Sequence, residues 1–141
     1  MAPGDEARGI TGAQLASREE AALRYPHSDL VFEDAYDEGQ GHGFDNLDRS
    51  ALISRWWRTD AEPRAVFDWF RHELTSRGWK EQGDSCSELA FFHRDRASFA
   101  VVIRRHEWWA WWPPGTPDGP GTFYEVDYSD RSFESQDTGD R

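Results

Sequence analysis

Residues 59–79 carry the helix signals that most narrow what this chain can become. Thr59-Asp60-Ala61-Glu62 offers capping side chains, and Pro63 falls in the first turn, where its missing amide costs nothing. Val66, Phe67, Phe70 and Leu74 make one apolar stripe with Trp69 at its edge, while Arg64, Asp68, Arg71 and Arg77 fall mainly elsewhere. Gly78 stands where a left-handed residue ends a helix, and Trp79 just beyond it can pack back on the last turn. The spacing predicts one main helix over residues 61–77.

The other patterned segments alternate. Leu30-Val31-Phe32-Glu33-Asp34-Ala35-Tyr36 places Leu30, Phe32 and Tyr36 on one side, as in a half-buried strand. Residues 51–59 read as a second strand with large side chains on both faces, Trp56 and Trp57 among them. Further strands are expected at 88–94, 97 to about 109, and 122–128, with Asp95-Arg96 placed for a tight hairpin turn. In the last of them Tyr124, Val126 and Tyr128 share one face, while Glu125 and Asp127 point the other way. The Pro- and Gly-rich run 113–121 can be neither helix nor ladder, so it forms a long hairpin tip.

Near the N-terminus, Thr11-Gly12-Ala13-Gln14 has the spacing of a capping box. It would open a short helix over 12–24, stopped by Pro26, whose few apolar positions (Leu15, Ala22, Leu23) suit a weakly docked arm. The fold class expected is α+β: an antiparallel sheet of about five strands with the main helix on one face, plus the short N-terminal helical arm. Residues 1–27 read as an acidic, initially disordered leader and arm, 28–128 as a single domain, and 129–141 as a polar acidic tail.

Composition says what the core is made of. Leu, Ile, Val and Phe make up only about 17% of the 141 residues and net charge is −11, a combination that flags disorder. Against it stand 8 Trp, 9 Phe and 4 Tyr, each able to bury a large area. Most aromatics lie in the near-neutral middle of the chain, and residues 1–50 hold much of the acidity, so the core is expected to be aromatic. The excess of 27 acids over 16 bases argues against binding double-stranded nucleic acid. No apolar run is long enough for a membrane span, and the first residues lack the pattern of a secretion signal. With Cys86 unable to form an internal disulfide, the expected setting is cytoplasmic.

Tyr25-Pro26-His27-Ser28, then Arg58-Thr59-Asp60-Ala61-Glu62-Pro63, Val66, Trp69-Phe70 and Leu74-Thr75-Ser76-Arg77-Gly78-Trp79 together resemble a recurring layout. It is similar to that of small uncharacterised actinobacterial proteins with the pattern YPG(A/S), TDxxPxxVxxWYxxxLxxxGW and a later F and R. Several of those resemble lipoproteins or membrane-tethered proteins, and no activity defines them. The resemblance spans roughly residues 25–128 and consists largely of folding signals, so it implies no functional residue. The present chain departs from the layout in having no lipobox and in carrying four Trp between 108 and 112.

Those four, Trp108, Trp109, Trp111 and Trp112, cannot all face one core, since an extended segment splits them between two sides. They suit a protein interface, an aromatic platform for a sugar or other flat-faced ligand, or a second small core under the long loop. Arg104 and Arg105 precede them and join the candidate contact surface. Asp37, Glu38, Asp45 and Asp48 form an acidic loop that offers a weak cation site without EF-hand spacing; a solvated loop is the plainer reading. His27, His42, His72, His93 and His106 show no metal-ligand spacing, although His93 and His106 could meet across a ladder near Glu107. There is no GxSxG, P-loop or dinucleotide fingerprint and no evident carboxylate pair, so no enzyme, cofactor or metal is expected. The function expected is a non-enzymatic contact module: acidic charge steers a basic partner protein, such as an enzyme held by an immunity protein or inhibitor, and the Trp-rich hairpin anchors it. An assembly subunit fits the same features. The alternative is a small-ligand or carbohydrate binder built on the Trp platform.

Overall fold

A computed structural model describes residues 9–40, 50–83, 86, 88–105, 111–116 and 119–132. The described residues form an α+β unit: one six-stranded antiparallel sheet and one main helix. The elements are α1 (Gly12–Ala16), a 3-10 turn (Glu19–Ala22), β1 (Asp29–Tyr36), β2 (Ala51–Thr59), α2 (Pro63–Ser76), β3 (Lys80–Glu81), β4 (Leu89–Arg94), β5 (Ala97–Arg104) and β6 (Thr122–Asp130). Their order across the sheet is β1-β2-β6-β5-β4-β3. The last strand in sequence is therefore central. It joins the β1–β2 pair to the β3–β4–β5 meander.

Helix α2 forms where its stripe predicts, burying Val66, Phe67, Phe70 and Leu74. Its start differs in detail. Pro63 occupies the first turn, but the N-cap Glu62 makes no side-chain cap bond, and Thr59 instead accepts a 3.3 Å bond from the Ala61 amide. At the other end Gly78 adopts φ +90°, a left-handed conformation that lets the Trp79 amide return to the Leu74 carbonyl at 3.0 Å. Phe70 then meets Phe99 and Tyr124, and Trp79 meets Phe99 and Tyr128, with ring centroids 5.7–6.0 Å apart. The helix-side core is an aromatic lattice closed by Ile53, Val101, Ile103 and Val126.

Two expectations about the edges of this unit change. The 12–24 helix is split: α1 has the reciprocal Thr11–Gln14 capping box but ends at Ala16, where the Ser17 hydroxyl bonds the Gln14 carbonyl. Arg18 turns extended, and its guanidinium reaches Asp130 at 2.6 Å and the Tyr128 hydroxyl at 3.1 Å. Rather than docking weakly, the segment buries Leu15, Ala21 and Leu23 in the main core. In β1 an irregularity at Val31 sets Leu30 opposite Trp57 but Phe32 opposite Trp56, so Leu30 and Phe32 do not share a face. β3 is an addition, two residues long and too short to show a period. The Asp95-Arg96 hairpin forms as expected, with Asp95 at φ +55° and Arg94 paired to Ala97. Among the described residues no helix is long and apolar enough to cross a membrane.

Candidate functional site

With α2 on one face, the sheet's other face is left without a covering element among the described residues. Strand alternation decides what it presents. Ladder pairs Trp56–Glu125, Ser54–Asp127 and Leu52–Ser129 join β2 to β6, and Ala100–Asp127 joins β5 to β6. Phe32, Asp34 and Tyr36 extend the face through β1, and Phe91 extends it through β4. These side chains line an open hollow of about 870 Å³.

The floor of the hollow is polar. Glu125 is buried, accepts from Arg104 Nε at 2.8 Å, and accepts from the Ser54 hydroxyl at 3.0 Å. Asp127 lies two residues on and therefore on the same face. Its Oδ1 is closed to solvent and has no hydrogen-bond partner among the described residues. Burial pushes the Asp127 carboxyl well above its ordinary value of 3.8. The charge of Glu125 and a hydrogen bond with it add to the shift, while Ser54 and Arg104 oppose it. Asp127 therefore holds its proton to higher pH than a free carboxyl would.

The wall beside this floor is aromatic, with Trp56 at its centre. The Arg104 guanidinium lies over the Trp56 ring at 4.4 Å, in addition to its bond with Glu125. Trp111 packs edge-on against Trp56 and Phe32 at 5.8 and 5.9 Å, and Trp112 against Trp56 and Phe123 at 5.6 and 5.3 Å. Trp111 nevertheless remains 56% exposed. The polypeptide leading back into β6 is pinned nearby. Arg58 donates to the Pro120 carbonyl, and Gly121 (φ +120°) passes so close to that guanidinium that a Cβ would meet it at 2.8 Å.

The expected site residues thus divide. Trp111 and Trp112 fold back over the open face, whereas Trp108 and Trp109 lie outside the described residues. Arg104 is turned inward onto Glu125 and Trp56, and Arg105 pairs with Glu88 at 3.2 Å. In the acidic loop, Asp37 accepts from the Gly12 amide at 2.7 Å, and Glu38 accepts from the Ile10 amide and from Ser132. Both carboxylates tie the N-terminal segment to the end of β1, and Glu38 also holds the residues just after β6. Asp45 and Asp48 lie outside the described residues, as do His42 and His106. Among the described residues no three His, Cys, Asp or Glu side chains come together as a metal would require. Cys86 is exposed.

The pair missed in the sequence is Glu125 and Asp127. Their shared face was legible from the alternation with Tyr124, Val126 and Tyr128; their place at the floor of the hollow was not, because it depends on β6 being central. Ser54, one small polar residue among bulky neighbours in β2, was the other available signal. No family model matches the chain, and neither does any curated protein or solved structure, so the site is read from its own geometry.

Proposed function

We propose that this protein is a small-ligand-binding domain that seats its ligand on the open face of the sheet, without chemical conversion. One observation carries the reading: a hollow of about 870 Å³ combines an aromatic wall with a few convergent polar groups on its floor. Small-molecule sites occupy roughly 300–1,000 Å³ and have this composition. A buried Glu125 beside an Asp127 whose Oδ1 is closed to solvent is also an expensive feature for a sheet to keep if stability alone were served. Ala100 sits on the floor, across the ladder from Asp127, and offers a clean test. In an NMR titration of the full chain with 2-phenylethanol, shifts should concentrate at Phe32, Trp56, Phe91 and Trp111. The variant Ala100→Phe should abolish them while leaving the helix-side core signals in place. Shifts that survive Ala100→Phe, or that scatter over the helix side, would sink the proposal.

The exposure of Trp111 favours a second reading, a contact surface for a partner protein with basic charge. Its mark would be loss of a co-purifying protein in Trp111→Ala with far-UV circular dichroism intact, and no response to small probes. A cytoplasmic setting belongs to both readings and is supported by the lone exposed thiol.

A further inference from the structure

We infer that the ligand of the open face carries a protonated nitrogen, its ammonium or amidinium group seated over Asp127 and Glu125 and its apolar body against Trp56 and Trp111. This rests on the ligand-binding reading and adds the ligand's charge to it. Three acids line the hollow, Asp34, Glu125 and Asp127, against one base, Arg104. That base is already committed, bonded to Glu125 and lying over Trp56. An anionic ligand would therefore meet carboxyl groups with no spare cation beside them among the lining residues. Among the described residues Asp127 Oδ1 has no donor, and an N–H group supplies one. The rings of Phe32, Trp56 and Trp111 present π-faces and edges around the same floor, which suits an organic cation better than a hydrated metal wanting six or more oxygens.

Proton competition goes with that placement. Burial favours the protonated form of Asp127 and a cation seated over it favours the ionised form, so binding displaces a proton from Asp127. The charged groups facing Asp127 are Glu125 on its own strand, Arg104 from β5, and Asp34 from β1 beyond the uncharged Ser54 of β2; β4 contributes the uncharged Phe91. His93 of β4 is exposed, and it pairs with Ser98 along the same face.

The test is calorimetric titration of the full chain with phenethylamine, 2-phenylethanol and methyl glucoside, at about pH 5 and about pH 8. The ammonium probe should bind about tenfold or more tighter than the matched alcohol at the higher pH, as one ion pair at a half-buried site allows. It should release a proton and weaken at the lower pH. In Asp127→Asn the preference should collapse while the alcohol's affinity stays unchanged. If the alcohol binds as well as the amine, or the glucoside binds better than both, the charge inference falls and the open-face reading stands. If none of the three binds, both fall. Should Asp127→Asn fail to fold, the wild-type pH comparison decides: a rise with pH for the amine alone supports the inference, and a flat profile overturns it.

Discussion

Asp127 is where this protein departs most from what a stable sheet would choose. Burial beside Glu125 raises its carboxyl well above the ordinary value, and the linkage has a definite sign. A carboxyl whose folded pKa is raised binds its proton more tightly in the folded state. Its stabilising contribution is complete below the ordinary value of 3.8 and is lost as pH rises from there through the raised folded pKa. Wild type should therefore lose thermal stability relative to Asp127→Asn as pH is taken from 4 toward 8. Differential scanning calorimetry of the two proteins across that range checks it; parallel curves would remove the raised pKa from the account. Tyr124 shows the opposite solution for a buried polar atom. Its hydroxyl receives the Tyr25 amide at 2.8 Å and meets the Ser28 hydroxyl at 2.7 Å, and burial pushes it up to about 12. The Tyr124 hydroxyl has partners; on the open face Asp127 Oδ1 has none among the described residues.

Among the elements, the N-terminal segment is the one whose role changed. Few apolar positions in 12–24 suggest an arm, yet Leu15 is fully buried in the core. The number of apolar residues was a poor guide because docking uses other contacts too. Arg18 bonds Asp130, Arg77 pairs with Glu19 at 3.0 Å, and Arg94 with Glu20 at 3.0 Å. Pairs with at least one partner reaching the surface contribute little singly, so the burial of Leu15 should dominate. Leu15→Ala is expected to cost about 2–5 kcal/mol in urea unfolding, the range for a large-to-small change in a packed core. A loss near zero would restore the arm. Helix α2 needed no such correction, since its stripe, Pro63 and Gly78 are local signals that agree with its environment.

Across the molecule, the position of β6 organises everything else. Its register partners on one side are Ala51–Thr59 and on the other Ser98–Arg104. Without it the β1–β2 pair and the β3–β5 meander share no ladder. A chain ending at Pro120 should therefore lose cooperative unfolding and near-UV circular dichroism, while keeping some helical signal from α2. A sharp transition in that truncated chain would mean that α2 and the N-terminal segment hold the halves together without β6. The same central placement shapes the two faces. Tyr124, Val126 and Tyr128 go to the aromatic core, and Glu125 and Asp127 are carried to the middle of the open side. At the edge of the sheet they would have been solvated and ordinary.

What the sequence by itself determined is whatever depends on near neighbours. The helix stripe and its Gly78 stop, the Asp95-Arg96 hairpin, the β2 span and the alternation in β6 are all matters of residues a few positions apart. Even the aromatic nature of the core follows, because the chain has too few aliphatics to build another. Tertiary structure decided which strands meet. It placed the last strand at the centre, registered Ser54 against Asp127, turned Arg104 inward, and folded Trp111 over Trp56. Pairing between residues some seventy positions apart leaves no period in a sequence, because loop closure costs grow only slowly with length and so exclude few partners. Two carboxylates that the alternation set only on the other side of a strand came to the floor of the hollow for that reason alone.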